Sequence, residues 1–215
     1  DQRVASFMYN CSEHLEVLFA TACKGAVFTP LNKQLMKDQI AHIINHSETE
    51  VIVADPRLAE QLATILALGC PTVRAVVFLG EASVTTPTTP LPTTVAVYSY
   101  EALLDGRSTI YHWPTLPENT AAALCYSTGT TGAPKGVAYS HRSLYLQSLS
   151  LCTTDSLAIS YGHSFLCCVP IFHVLSWGVP IAAFMTGTPL IFPGGDITPA
   201  DLANLIATCH PRVAH

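Results

Sequence analysis

Residues 4–54 read VASFMYNCSEHLEVLFATACKGAVFTPLNKQLMKDQIAHIINHSETEVIVA, and their two alternating periods decide the fold class. Residues 4–9 are an apolar run of strand length, and Leu15, Leu18, Phe19 and Ala22 then recur at helical spacing. Asn10, with Glu13 three positions on, offers a capping pair for that helix. A second strand at 26–29 leads into a helix at 34–46 whose buried face is read as Met36, Ile40, Ile43 and Ile44. A third strand follows at 50–54. Strands this apolar, each followed by an amphipathic helix, predict an α/β fold with largely parallel sheets covered on both faces.

The same alternation runs outward to the end of the chain. A helix is expected at 56–68, strands at 74–79 and 121–126, and a helix from 140 to about 153 with Tyr145, Ser148, Leu149 and Cys152 on one side. Residues 165–169 read as strand, 174–186 as helix and 189–192 as strand. Thr198 as N-cap, Pro199 at the first helical position and Asp201 at the third open a last helix, with Leu202, Leu205, Ile206 and Cys209 on one face. A further strand begins at 212.

Composition narrows the function classes. Of 215 residues 12% are charged and 49% hydrophobic, with a net charge of −5 and a mean hydropathy of +0.36. Disorder needs the opposite balance. A nucleic-acid footprint needs a basic patch, which this chain lacks. No Asp, Glu, Lys or Arg stands between Asp155 and Asp196, and residues 165–192 are long enough to cross a bilayer. Pro170, Gly178, Pro180, Gly187 and Pro189 cut that stretch into pieces, so it reads as strand, loop, helix and strand rather than a span.

Eight cysteines without a C-x-x-C pair read as free, mostly apolar side chains in a reducing, cytoplasmic compartment. Residues 81–94 (EASVTTPTTPLPTT) read as an exposed loop. His42 and His46 stand four apart on one helix, a spacing that can bind zinc, but with no third ligand in sight they read as solvated.

The chemistry concentrates in Tyr126-Ser127-Thr128-Gly129-Thr130-Thr131-Gly132-Ala133-Pro134-Lys135-Gly136-Val137, directly after a strand. Glycines let backbone N–H groups approach an anion closely, and hydroxyls donate to phosphate oxygens or sit beside Mg²⁺. Lys135 adds a mobile positive charge. Together they describe a phosphate-holding loop. It is not the G-x-x-x-x-G-K-[ST] loop of other nucleotide-binding proteins, because Pro134 precedes the lysine and Gly136 follows it.

This stretch resembles the phosphate loop of the adenylate-forming (AMP-binding) enzymes, and Tyr139-Ser140-His141-Arg142 extends the likeness toward the fatty-acyl-CoA synthetases. Residues 169–180 (VPIFHVLSWGVP) resemble a second motif of that branch, P-M-F-H-V-N-A-W-G-x-P, departing from it at Leu175 and Ser176. The resemblance implies that Ser127, Thr128, Gly129, Thr130, Thr131, Gly132 and Lys135 hold the ATP phosphates, with Thr130 beside Mg²⁺. It implies that His173 borders the acyl-adenylate and that Trp177 gates the acyl pocket. The implied reaction is activation of a fatty acid by ATP to acyl-adenylate, then to a thioester with coenzyme A. A domain activating an amino or aryl acid, or an α/β protein with a vestigial loop, are the rival readings.

The resemblance also implies part of a large N-terminal domain, with a first α/β subregion at 1–80, a connection at 81–120 and a phosphate-loop and acyl-pocket subregion at 121–215. The small C-terminal domain of the family is absent from these residues, so the piece alone is expected to be inactive. The expected partners are fatty acid, ATP and coenzyme A, without nucleic acid. A homodimer and peripheral contact with a membrane are both compatible with this reading.

Overall fold

The computed structural model describes residues 2–80, 87–127 and 132–215. Seven strands form the main sheet. They are β1 (Arg3–Phe7), β2 (Val27–Pro30), β3 (Val51–Ala54), β4 (Ala75–Phe78), β5 (Ala96–Ser99), β6 (Ala121–Ser127) and β7 (Lys135–Ser140), in the order β5-β4-β3-β1-β2-β6-β7. Every neighbouring pair is parallel except β6 and β7, which form an antiparallel edge.

Side chains alternate across this sheet, as the strand period demands. Ala5, Phe7, Ile52, Ala54, Val76 and Phe78 face α2 (Lys37–His46) and α3 (Ala59–Leu66). Met8, Phe28, Val53, Val77 and Cys125 belong to the other layer, with Val17 and Leu18 of α1 (Ser12–Lys24) and Leu144 of α5 (His141–Leu151). Both faces of the central strands are therefore buried, which explains why β1 to β4 are apolar at nearly every position, while the edge strands β5 and β7 are mostly exposed. A short helix, α4 (Tyr100–Leu104), follows β5.

A second, three-stranded sheet has the order β10-β8-β9, all parallel: β8 (Phe165–Leu166), β9 (Leu190–Ile191) and β10 (Val213–Ala214). Its core joins Phe165 and Cys167 to Val179 and Ala182 of α6 (Val179–Thr186), with Leu151 and Ile159. Thr198 caps α7 (Pro199–Cys209) as its sequence requires. Its hydroxyl accepts from Asp201 N, and the Asp201 carboxylate accepts from Thr198 N. Among the described residues no helix is long and apolar enough to cross a membrane.

Several expectations are corrected. Asn10 does not cap α1: Cys11 holds that position without a side-chain bond, and Asn10 is committed across the molecule. The buried face of α1 is His14, Val17, Leu18 and Thr21, one position round from the expected one, with Leu15, Phe19 and Ala22 half-buried at its flank. Met36 stands before α2 and is 70% exposed, because the helix starts only at Lys37.

On α5 the core side is Leu144, Ser148 and Leu151, while Tyr145 and Leu149 face outward. Residues 174–178 are not helical in the ordinary sense, since φ is positive at each of them and α6 begins at Val179. The described part of the Thr/Pro-rich stretch, 87–94, is loop with no buried residue, as expected, but it is tied to the body of the fold. Residues 81–86 lie outside the described residues, but Thr88 and Thr89 donate to the Glu60 carboxylate and Leu91 packs on the core.

Candidate active site

The Gly/Thr-rich stretch joins β6 to β7, and the strands it joins are paired. Ser127 lies opposite Lys135, the first rung of the ladder behind the connection. The chain returns along β7 before α5 begins, so this hairpin, unlike a loop running into a helix, has no helix N-terminus at its root. With no helix end there, the groups of the described residues that could attract an anion are the Ser127 hydroxyl, the Gly132 amide and the Lys135 charge. Thr128, Gly129, Thr130 and Thr131 lie outside the described residues, whereas Ser127, Gly132 and Lys135 are described. Gly132 has φ +105°, a backbone form that suits glycine.

Gly136 acts differently from an anion contact. It stands opposite Tyr126, and a Cβ there would approach the Tyr126 ring to 3.1 Å and Leu124 to 3.1 Å. The tyrosine ring thus lies across the glycine, and its hydroxyl is 2.7 Å from His46 Nδ1. His46 is therefore more than a solvated histidine. Its ring also lies 5.6 Å from that of His42, yet among the described residues no group of three His, Cys, Asp or Glu gathers around them.

Trp177 and the hairpin meet on one cavity. A space of about 420 Å³ is lined by Tyr139 of β7, Ser143, Leu144 and Gln147 of α5, and Val174, Trp177 and Gly178. The strand that begins at Lys135 thus also supplies a wall of the space beside Trp177. Trp177 is half exposed, and its ring meets His215 edge-on at 5.4 Å. His215 is held by Ser176. Its Nε2 lies 3.1 Å from the Ser176 hydroxyl and 3.3 Å from the Ser176 carbonyl, and burial lowers its pKa.

His173 is exposed, with its ring 4.8 Å from that of Phe172. It borders neither cavity, and its neighbour Phe172 instead lines a second space. That crevice, of about 300 Å³, lies where the C-terminal ends of the two sheets approach one another. Open α/β sheets bind ligands along such edges. Met8, Tyr9 and Asn10 come from the end of β1, Lys33 from the end of β2, and Cys168 and Asp196 from beyond β8 and β9.

Sequence reading missed this group because its members are scattered singly along the chain. Lys33 Nζ and the Arg57 guanidinium lie 4.0 and 4.4 Å from the Tyr9 ring centre. Arg57 is held in place by a two-pronged ion pair with Asp55. Tyr9 donates to Asp196, and burial and that carboxylate together raise the pKa of its phenol. Asp55-Pro56-Arg57 directly after a strand was the local signal that could have marked it.

The model of one family matches residues 1–215 throughout, and its description is AMP-binding enzyme. The chain belongs to that family. It is 38% identical over 206 residues to a medium-chain-fatty-acid–CoA ligase of Ectopseudomonas oleovorans, covering 96% of this chain and 37% of that one. A long-chain-fatty-acid–CoA ligase of Thermus thermophilus is 37% identical over 203 residues, covering 94% and 35%. The chain therefore spans little more than a third of the length of these relatives. Among solved structures, a long-chain-fatty-acid–CoA ligase from Archaeoglobus fulgidus superposes with a TM-score of 0.80 at 22% identity, covering 99% of this chain and 39% of that one. At that identity the likeness speaks for the fold: the α/β architecture, with its largely parallel sheet, is that of the family.

Proposed function

We infer that the protein carrying this chain activates a fatty acid in two steps. A carboxylate oxygen of the acid attacks the α-phosphorus of ATP, forming acyl-adenylate as pyrophosphate leaves. The thiol of coenzyme A then attacks the acyl carbon, and AMP departs with the electron pair of the broken bond. What carries this reading is the position of Lys135. It begins the strand that walls the Trp177 cavity, and it stands opposite Ser127, where the Gly/Thr-rich stretch that joins β6 to β7 starts in the sequence.

In this reading Lys135 and the hydroxyls and amides of residues 127–132 hold the β- and γ-phosphates. They offset the charge that gathers on the departing pyrophosphate. Holding the phosphates also fixes the α-phosphorus against the incoming carboxylate. The acyl chain occupies the space beside Trp177, whose lining is mainly apolar. His173 borders the reacting acyl group.

The donor set offered to a cation by residues 127–131 is hydroxyl and carbonyl oxygen, which suits Mg²⁺. Thr130 would help hold Mg²⁺ against the phosphates, and the bound ion would neutralise part of their charge.

The experiment is fatty-acid-dependent exchange of pyrophosphate into ATP by the full-length protein. Lys135→Ala should cut the exchange by about 100-fold, the scale of losing one charge-stabilising donor. Undiminished exchange in that variant would overturn the assignment.

A further inference from the structure

The turn that presents His173 and Trp177 is held in an unusual backbone form. Val174, Leu175, Ser176 and Trp177 have φ of 45°, 55°, 52° and 57°, and Gly178 follows at 88°. Side-chain-bearing residues visit this left-handed region singly, not in runs of four. Such a run persists only where the surroundings over-determine it, and that situation clusters at functional sites.

Three anchors impose it. Ile171 and Leu175 are fully buried in the layer beneath the main sheet. The Ser176 hydroxyl donates to the Val169 carbonyl at 2.9 Å. The third anchor is Asn10, which arrives from the other sheet, just beyond the end of β1, and is itself buried. Its Oδ1 accepts from Ile171 N at 3.0 Å. Its Nδ2 donates to the carbonyl of Val169 at 2.9 Å and more weakly to that of Cys167 at 3.4 Å.

One amide side chain thus satisfies the backbone on both sides of Pro170, at the root of the turn. Asn suits this need because its amide carries a donor nitrogen and an acceptor oxygen as separate atoms on a short side chain, so the two bonds are made at once.

We propose that Asn10 is a positioning residue. By holding the Ile171 amide and the Val169 carbonyl, it keeps the 170–178 turn in its left-handed form and sets where His173 and Trp177 stand. The consequence for catalysis rests on the acyl-activation reading given above. The bond pattern at Asn10 does not. It also ties the C-terminal edges of the two sheets together beside the crevice that Asn10 and Phe172 both line.

The test uses the full-length protein with Asn10→Ala and Asn10→Asp, read by amide hydrogen exchange and by pyrophosphate exchange. In Asn10→Ala, exchange across residues 169–178 should rise at least about 10-fold while β3 keeps its protection, a local rather than global opening. The kcat of the exchange reaction should fall by about 100-fold, the effect of an ångström-scale misplacement, with KM for ATP within about 2-fold of the original.

Asn10→Asp keeps the acceptor for Ile171 but turns a carboxylate oxygen toward two carbonyls. It should retain protection at Ile171 and still lose kcat, which keeps the test open if the alanine variant does not fold. Unchanged protection at 169–178 in Asn10→Ala would overturn the proposal, as would local opening with kcat unchanged. A wild-type protein without fatty-acid-dependent exchange would sink the activation reading, and amide exchange would then still decide whether Asn10 holds the turn.

Discussion

The Tyr126 hydroxyl lies 2.7 Å from His46 Nδ1, and this contact ties the end of α2 to the strand that enters the Gly/Thr-rich stretch. The two residues are 80 positions apart and meet because β6 lies in the sheet that α2 covers. The ring is fixed from its other side by Gly136, where no Cβ keeps it away. Removal of the hydroxyl in Tyr126→Phe should cost about 1 kcal/mol, the net worth of one hydrogen bond, with the ring left in place. Denaturant titration checks the stability. If the contact also steadies the hairpin, KM for ATP should rise in the same variant while KM for the acid stays fixed.

A pH dependence is built into His14. The ring is fully buried on α1, with Nε2 2.7 Å from the Ser6 hydroxyl and Nδ1 3.1 Å from the Tyr9 carbonyl. A carbonyl only accepts, so Nδ1 carries the proton, and Nε2 accepts from Ser6. Burial pushes the imidazole down to about 4. Because the folded value lies below the unfolded one, near 6.5, the neutral ring's contribution is complete above about pH 6.5 and is lost as pH falls toward 4. The loss should approach about 3 kcal/mol, at 1.36 kcal/mol per pH unit across that window. Unfolding free energies at pH 7 and pH 4.5 measure it. His14→Gln, which cannot titrate, should flatten the curve over that window, and parallel curves for the two proteins would refute the assignment.

The parts of this fold that could be read from sequence are those fixed by short-range physics. The alternation of β1 to β4 with α1 to α3 follows from apolar period, and the box at Thr198 and Asp201 from capping chemistry. Residues whose partners lie far off in the chain were read wrongly. Asn10 looks like a cap because Glu13 sits three residues on, yet its partners are 157 to 161 positions away.

Strand β7 escaped notice because its glycine and its exposed edge remove the apolar signal, and β5 because its side chains are mostly exposed. At the site, the sequence singles out the Gly/Thr-rich stretch and Trp177, and the structure puts Trp177 on a cavity that the strand after that stretch also walls. The cluster of Tyr9, Lys33, Arg57 and Asp196 was not legible, because it is assembled only when two sheets bring their edges together.

Trp177 should set the size of acid accepted. It lines the 420 Å³ space with Tyr139, Leu144 and Val174, while Ser143 and Gln147 give that wall a polar part. Trp177→Ala opens the space, so larger or longer acids should gain relative to short ones. The shift in relative kcat/KM should be about 10-fold or more, the discrimination expected when a hydrophobic pocket changes by one or two methylene-sized steps. Kinetics across a series of straight-chain acids reads it directly. A profile unchanged in shape would remove Trp177 from the acyl site while leaving the phosphate stretch unaffected.

The low charge content, 12%, has a visible consequence on α7. Leu202, Leu205, Ile206 and Cys209 share one face of that helix as the spacing requires, yet none of its residues is buried. Phe184 on α6 is 74% exposed and Tyr161 is 81% exposed. Apolar surface of this kind drives association when nothing covers it. The 215-residue chain on its own should therefore self-associate as its concentration rises, and sedimentation velocity should show a rising weight-average coefficient. Leu202→Glu with Ile206→Glu places two like charges on the face and should return the chain toward a single slow species. The double change leaves the Thr198–Asp201 capping box intact, so the helix itself should survive, as circular dichroism would show. Association undiminished in the double variant would move the sticky surface from α7 to the Phe184 side.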